Sequence, residues 1–147
     1  MRDSYKKPVL KSLYFNQEVD RIPSLKGKTI AITGTTSGTG FIAAKIVAEK
    51  GARTLLLNRK TNRSNKSYDL LKEHYPKANI IDIECDLQSF KSVKKAAKTI
   101  TDLCKDGLDV LCNNAGVMAL SAQHLFSGFG VLMITYSGLN IQERYKD

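Results

Sequence analysis

The stretch TIAITGTTSGTGFIAAKIVAEKGA, residues 29–52, decides how the whole chain is read. Its first five residues are short, apolar and β-branched, which suits a strand buried on both faces. Gly34, Gly38 and Gly40 then fall among hydroxyl residues, and FIAAKIVAEK continues with apolar positions at helical spacing as far as Gly51, a stop signal. A strand that turns through glycine into a helix sets the first backbone N–H groups of that helix at the carboxyl edge of a sheet. Parallel α/β folds bind their ligands there. Gly34 can take the positive φ of a tight turn, Gly38 lets the backbone approach a ligand, and Gly40 lets the helix pack close to the strand. Thr36, Ser37 and Thr39 complete the turn. Two readings are open on this evidence, a seat for a pyrophosphate and a structural turn without a ligand. The position between a buried strand and an amphipathic helix favours the first.

Working outward, the same alternation recurs. RTLLLNR is a second strand, and the polar loop KTNRSN leads to a helix over about residues 64–75 that Pro76 ends. NIIDIECDL is a third strand, Phe90 to Lys105 a helix, and LDVLCNNAG a fourth strand. The succession β-α-β-α-β-α-β implies an α/β fold with a parallel, doubly wound sheet and right-handed crossovers. The first 26 residues read as an extension or partial helix ahead of the sheet.

Composition limits what such a chain does. A length of 147 residues is one domain's worth, and 42% hydrophobic residues with 25% charged and three prolines is globular rather than disordered. No apolar run approaches the ~18 residues of a bilayer span, and the basic N-terminus is interrupted by Asp3 and Pro8 with no apolar signal region after it. Cys85, Cys104 and Cys112 are odd in number and lie in apolar surroundings, which fits reduced thiols in a cytoplasmic compartment rather than disulfides or a zinc site. Neither His74 nor His124 has a partner pattern for metal or nucleophilic chemistry, so no metal ligand is expected.

A net charge of +9 raises nucleic-acid binding as a rival function. Residues 59–105 carry eleven Lys or Arg against six Asp or Glu. In SFKSVKKAAKTITDLCK, Phe90, Val93, Ala97, Ile100 and Cys104 recur at helical spacing while Lys91, Lys94, Lys95 and Lys98 fall between them, so these cations belong to a solvated helix face. No arginine-rich run, zinc finger or aromatic RNA-binding pattern accompanies them, and no nucleic-acid partner is expected.

The glycine spacing is Gly-x3-Gly-x-Gly, and with the preceding Thr33 it resembles the Thr-Gly-x3-Gly-x-Gly pattern of the short-chain dehydrogenase/reductase family. NRK after the second strand, CDL after the third and NNAG after the fourth resemble further family elements in the same order, so the likeness covers residues 28–118. LKGKTIAITGTTSGTGF and NNAGVMAL look most like the retinol-dehydrogenase-related branch. The resemblance implies the N-terminal half of a Rossmann-type sheet, with about four strands in the order 3-2-1-4. Residues 1–27 would then be an N-terminal extension and 119–147 a divergent, partly helical tail. It further implies that Asp86 accepts a bond from the adenine amino group beside Leu87. Asn113 becomes a strand-stabilising hydrogen-bonding residue, and Ala115 and Gly116 are small enough for the adenosine ribose to lie against the backbone. A helix N-cap is the alternative role for Asp86. Where NAD-preferring relatives place a carboxylate for the ribose 2′-hydroxyl, this chain has Asn58 and Arg59. A guanidinium pairs with a 2′-phosphate that a carboxylate would repel, so the expected cofactor is NADP, unless Arg59 is one more solvated cation.

In the family, a tyrosine with a lysine four residues on and a substrate-orienting serine act downstream of NNAG, in hydride transfer between nicotinamide and a carbonyl or alcohol. Only 31 residues follow Gly116 here and none forms a Tyr-x3-Lys, since Tyr136 is followed at that spacing by Asn140. Tyr68 and Lys72 have the spacing but lie between the second and third strands. The expectation is therefore an NADP-binding portion without catalytic residues of its own, with a regulatory nucleotide-binding protein and a basic interaction module as rivals. LDVLCNN would be an open sheet edge prone to self-association, with apolar surface on the Ile30, Ile32 and Val110 side incompletely covered.

Overall fold

The computed structural model describes residues 15–116. Its elements are α1 (Phe15–Arg21), β1 (Thr29–Thr33), α2 (Gly38–Glu49), β2 (Arg53–Asn58), α3 (Asn62–His74), β3 (Ile80–Glu84), α4 (Phe90–Leu103) and β4 (Val110–Cys112). The four strands are parallel and ordered β3-β2-β1-β4, with Ile30 opposite both Thr54 and Val110. This is the expected order of a Rossmann-type α/β sheet.

Both faces are covered. Ala31, Leu55, Leu57 and Ile83 pack with Val93, Ala96 and Ile100 of α4 on one face. Ile30, Ile32, Leu56 and Ile80 pack with Ala44 and Ala48 of α2 and Leu71 of α3 on the other. Successive residues of β1 thus serve opposite cores, which is why its sequence is apolar throughout rather than alternating. The coverage corrects one expectation. Ile30 is 7% and Ile32 1% exposed, buried under α2, and of the three residues expected to lie uncovered only Val110 is open, at 47%.

Helix boundaries follow local chemistry. α3 starts two residues earlier than its periodicity implies because Thr61 and Ser64 form a reciprocal capping box, Thr61 Oγ1 accepting the Ser64 N–H at 3.2 Å and Ser64 Oγ the Thr61 N–H at 3.0 Å. It ends at His74, with Tyr75 as the C-cap ahead of Pro76, which disfavours helical backbone in the preceding residue. Ser89 caps α4, so the alternative reading of Asp86 as that helix's N-cap does not hold. Phe90, expected on the buried face of α4, is half exposed because it is the first helical residue, at the rim of the core. Lys91, Lys94, Lys95 and Lys98 all lie exposed, as expected.

At the amino-terminal edge of the sheet, Asp109 accepts the Thr29 N–H at 2.8 Å and pairs with Lys28 Nζ at 3.0 Å, fixing the loop before β4 to the start of β1. All three cysteines are free, with Cys85 and Cys104 buried and Cys112 half-buried. Burial, and then the neighbouring Asp86 charge, push the Cys85 thiol up to about 11 from an ordinary 9.0. A thiol raised in the folded state contributes stability in full below its unfolded value and loses it as pH climbs through the folded one. Wild-type unfolding free energy is therefore expected to fall between pH 8.5 and 11.5 by up to roughly 2 to 3 kcal/mol more than that of Cys85→Ala. Urea titrations across that range check it, and parallel profiles for the two proteins contradict it.

Candidate functional site

The glycine turn is gripped from both sides. Toward β2, Gly34 N–H donates to the Leu57 carbonyl at 3.0 Å. Asn58 Oδ1 accepts the Thr35 N–H at 2.8 Å, and Asn58 Nδ2 donates to Thr35 Oγ1 at 2.8 Å. Toward β4, Asn114 Nδ2 donates to the Thr33 and Gly34 carbonyls at 2.9 and 3.1 Å, while Thr33 Oγ1 accepts the Ala115 N–H at 2.9 Å. Thr33, Thr35 and Asn58 are buried polar groups whose hydrogen bonds are met inside the protein, so the turn is held before any ligand arrives.

Two glycines of the turn have positive φ, Gly34 at 71° and Gly38 at 60°. A Cβ at Gly34 would also lie 3.0 Å from the Cα and Cβ of Ala115. Gly40 is excluded from any side chain by contact, since a Cβ there would collide with the Gly34 carbonyl oxygen and Asn114 Nδ2. The helix start therefore lies directly on the exit of β1. Ser37 is the N-cap of α2, yet its side chain makes no capping hydrogen bond and the first turn holds no acidic residue, whereas α3 and α4 are capped by Thr61 and Ser89. Ser37, Gly38 and Thr39 are exposed and Thr36 half-buried. A helix start with no capping side chain, and with glycine at its first position, offers backbone N–H groups of the polarity that attracts an anion.

Beside the turn lies a cleft of about 380 Å³ lined by Thr36, Ser37, Phe41, Asn62, Arg63, Lys66, Ser67 and Leu70. Arg63 and Lys66 were not singled out from sequence. Their signal is a pair of cations three residues apart at a helix start, which the sequence pattern obscures by placing Arg63 in the loop. Arg59 is exposed just after β2 and is not among the residues that line the cleft.

At the end of β3, Asp86 Oδ1 accepts the Gln88 N–H at 3.0 Å and the Asp86 N–H donates to Ser92 Oγ at 2.9 Å, while Leu87 packs on the α4 core. Beyond β4, the stitching role expected of Asn113 belongs to Asn114. The phase of the strand decides this, since Cys112 packs on the α2 face and Asn114, two residues on, meets the α2 start while Asn113 is exposed. Ala115 lies against Gly34, and Gly116 is exposed with open space at its α-carbon. The residues named from sequence thus gather at the carboxyl edge of the sheet.

The Tyr68 and Lys72 pair is placed elsewhere. Tyr68 packs on the α2 and α3 core, and Lys72 Nζ donates to the Ala78 carbonyl at 3.1 Å, just ahead of β3 and so toward the amino-terminal edge of the sheet.

A parallel sheet in this order, with a glycine turn opening onto an uncapped helix, defines a dinucleotide-type α/β fold. The short chain dehydrogenase family pattern matches residues 28–128, and the chain belongs to that family. It is 36% identical over 102 residues to the short-chain dehydrogenase TIC 32 A, chloroplastic, of Brassica napus, covering 69% of this chain and 32% of that protein. It is 34% identical over 120 residues to the short-chain dehydrogenase/reductase prx1 of Penicillium rubens, covering 81% and 34%. The chain spans about a third of the length of these relatives. Among solved structures, the L-sorbose reductase of Gluconobacter frateurii complexed with NADPH and L-sorbose superposes with a TM-score of 0.64 at 24% identity. That match covers 79% of this chain and 47% of the other and supports the fold alone. Among the described residues no helix is long and apolar enough to cross a membrane.

Replacing Gly40 by Ala is expected to force α2 away from β1, destabilising the protein by about 1 to 3 kcal/mol as an overpacked contact does. Thermal melting checks this, and an unchanged midpoint for Gly40→Ala would contradict the close approach.

Proposed function

We propose that this chain is the NADP-binding portion of a short-chain dehydrogenase/reductase, seating the cofactor pyrophosphate on residues 34–40. The observation that carries the reading is the uncapped α2 start on a turn where Gly40 admits no side chain. Thr36, Ser37, Gly38 and Thr39 would line the phosphates, Asp86 and Leu87 the adenine, and Ala115 and Gly116 the ribose. When bound, the nicotinamide would supply hydride chemistry toward a carbonyl or alcohol in the full-length protein. The cofactor-binding unit takes residues 28–118, with 1–27 as an extension and 119–147 as a tail. Three reduced thiols suit a reducing compartment such as the cytoplasm.

The preference for the 2′-phosphate is supported by the cations that stand near the turn. Arg59 stands just after β2, and Arg63 and Lys66 line the adjoining cleft with Thr36 and Ser37. A charge-assisted hydrogen bond from a guanidinium is worth about 1 to 3 kcal/mol, so NADPH is expected to bind more tightly than NADH, with Arg59→Ala removing that order of difference. Titration calorimetry checks it, and equal affinities for the two nucleotides contradict it. The same chain supplied with NADPH and a panel of aldehydes and ketones is expected to show no turnover. Turnover abolished by Tyr68→Phe would overturn that.

Among the described residues, β4 has no neighbour on its outer side and Val110 is exposed. Such an edge templates strand pairing, and self-association through β4 is proposed. Sedimentation at increasing concentration is expected to show a rising mean mass, and a monodisperse monomer throughout contradicts it.

A further inference from the structure

Asn58 stands at the end of β2, where a ribose-binding carboxylate would be sought, yet it is 4% exposed and its amide is already engaged. Its oxygen accepts the Thr35 N–H and its nitrogen donates to Thr35 Oγ1, both at 2.8 Å, and Thr35 itself is fully buried. Its backbone carbonyl accepts the Cys85 N–H at 2.7 Å just past β3, and the Asp82 carboxyl on β3 lies near enough for the Asn58 side chain to favour its charged form. An amide meets both demands of Thr35 because it carries an acceptor and an N–H donor on one short stem. Thr35 lies between the two positive-φ glycines, so whatever fixes Thr35 fixes the course of the turn.

We propose that Asn58 is a positioning residue that acts through Thr35, holding the glycine turn in its phosphate-ready shape and linking it to β3, rather than a residue that reads the ribose. This inference rests on the dinucleotide reading of the turn. Its consequence runs against the usual logic of cofactor switching, because a carboxylate introduced here would face Thr35 and Asp82 instead of a ribose hydroxyl. Asn58→Asp keeps an acceptor for the Thr35 N–H but removes the donors, and it places a second carboxylate beside Asp82. Glu84 on β3 adds a like charge to Asp82, with Lys60 after β2 opposing it, and Arg59 is the next residue in the chain. At pH 8 the introduced carboxylate and Asp82 would repel each other. Protonation of the pair as pH falls restores one O–H donor.

The test is nucleotide fluorescence titration of the full chain as wild type, Asn58→Asp and Asn58→Leu, with NADH and NADPH at pH 8 and pH 5.5. At pH 8, Asn58→Asp is expected to weaken both nucleotides in parallel, by roughly tenfold as befits a lost buried hydrogen bond. At pH 5.5 it should recover toward wild type, while Asn58→Leu should stay weak at both values. Tighter NADH binding by Asn58→Asp, or wild-type affinity in Asn58→Leu, would overturn the proposal. A parallel pair avoids reliance on these variants folding, with Thr35→Ser expected to retain affinity and Thr35→Val to lose it severalfold. Equal affinity in that pair would also overturn the proposal. Amide exchange without nucleotide gives a readout independent of the cofactor reading. The Thr35 N–H should be protected in wild type and lose that protection in Asn58→Leu, and unchanged protection contradicts the proposal. A wild type that binds neither nucleotide would refute the functional reading while leaving the exchange test decisive for Asn58.

Discussion

The site depends on one close contact, the first turn of α2 lying against the end of β1 at Gly40. Neither the Gly34 carbonyl nor the Asn114 amide leaves room for a Cβ, so helix, strand and the exit of β4 meet at a single point. Asn114 donates to both carbonyls at this junction, and Thr33 returns a bond through the Ala115 N–H. The start of α2, with no capping side chain and no acidic residue in its first turn, thereby lies at the sheet's carboxyl edge with its partial positive charge. Asn58 ties the turn to β2, and its backbone carbonyl accepts the Cys85 N–H just past β3.

The fold was legible because apolar periodicity switches cleanly between the two periods. TIAIT and RTLLLN are segments of strand length with uninterrupted apolar centres, and the glycines stand where backbone geometry demands them. Gly34 and Gly38 need positive φ and Gly40 needs the missing side chain, so the turn could be assigned residue by residue. What escaped the sequence was phase and capping. Choosing Asn114 over Asn113 requires knowing which face a strand end presents after only three paired residues. The start of α3 uses serine rather than glutamate in its capping box, so the sequence pattern leaves Arg63 outside the helix and apart from Lys66, with which it lines the cleft. Asn58 was noticed for the carboxylate it replaces, whereas its hydrogen bonds connect residues 23 apart in sequence.

The excess positive charge divides by location. Lys91, Lys94, Lys95 and Lys98 sit on the outer face of α4, where Lys98 pairs with Asp102 at 3.0 Å between two largely exposed side chains. Such pairs contribute little to stability and leave a solvated surface. Arg63 and Lys66 stand instead at the mouth of a cleft that opens beside the glycine turn, where an anion would be partly enclosed. The same residue types thus carry different weight because one set borders a concave, preorganised backbone and the other borders solvent.

The central claim is that residues 34–40 seat the cofactor's phosphates, and amide NMR of the full chain during NADPH addition tests it most directly. The account predicts the largest shifts at Thr36 to Gly40, with further changes at Arg59, Arg63 and Lys66. Saturation without movement of those amides, or shifts confined to the lysine face of α4, would contradict it.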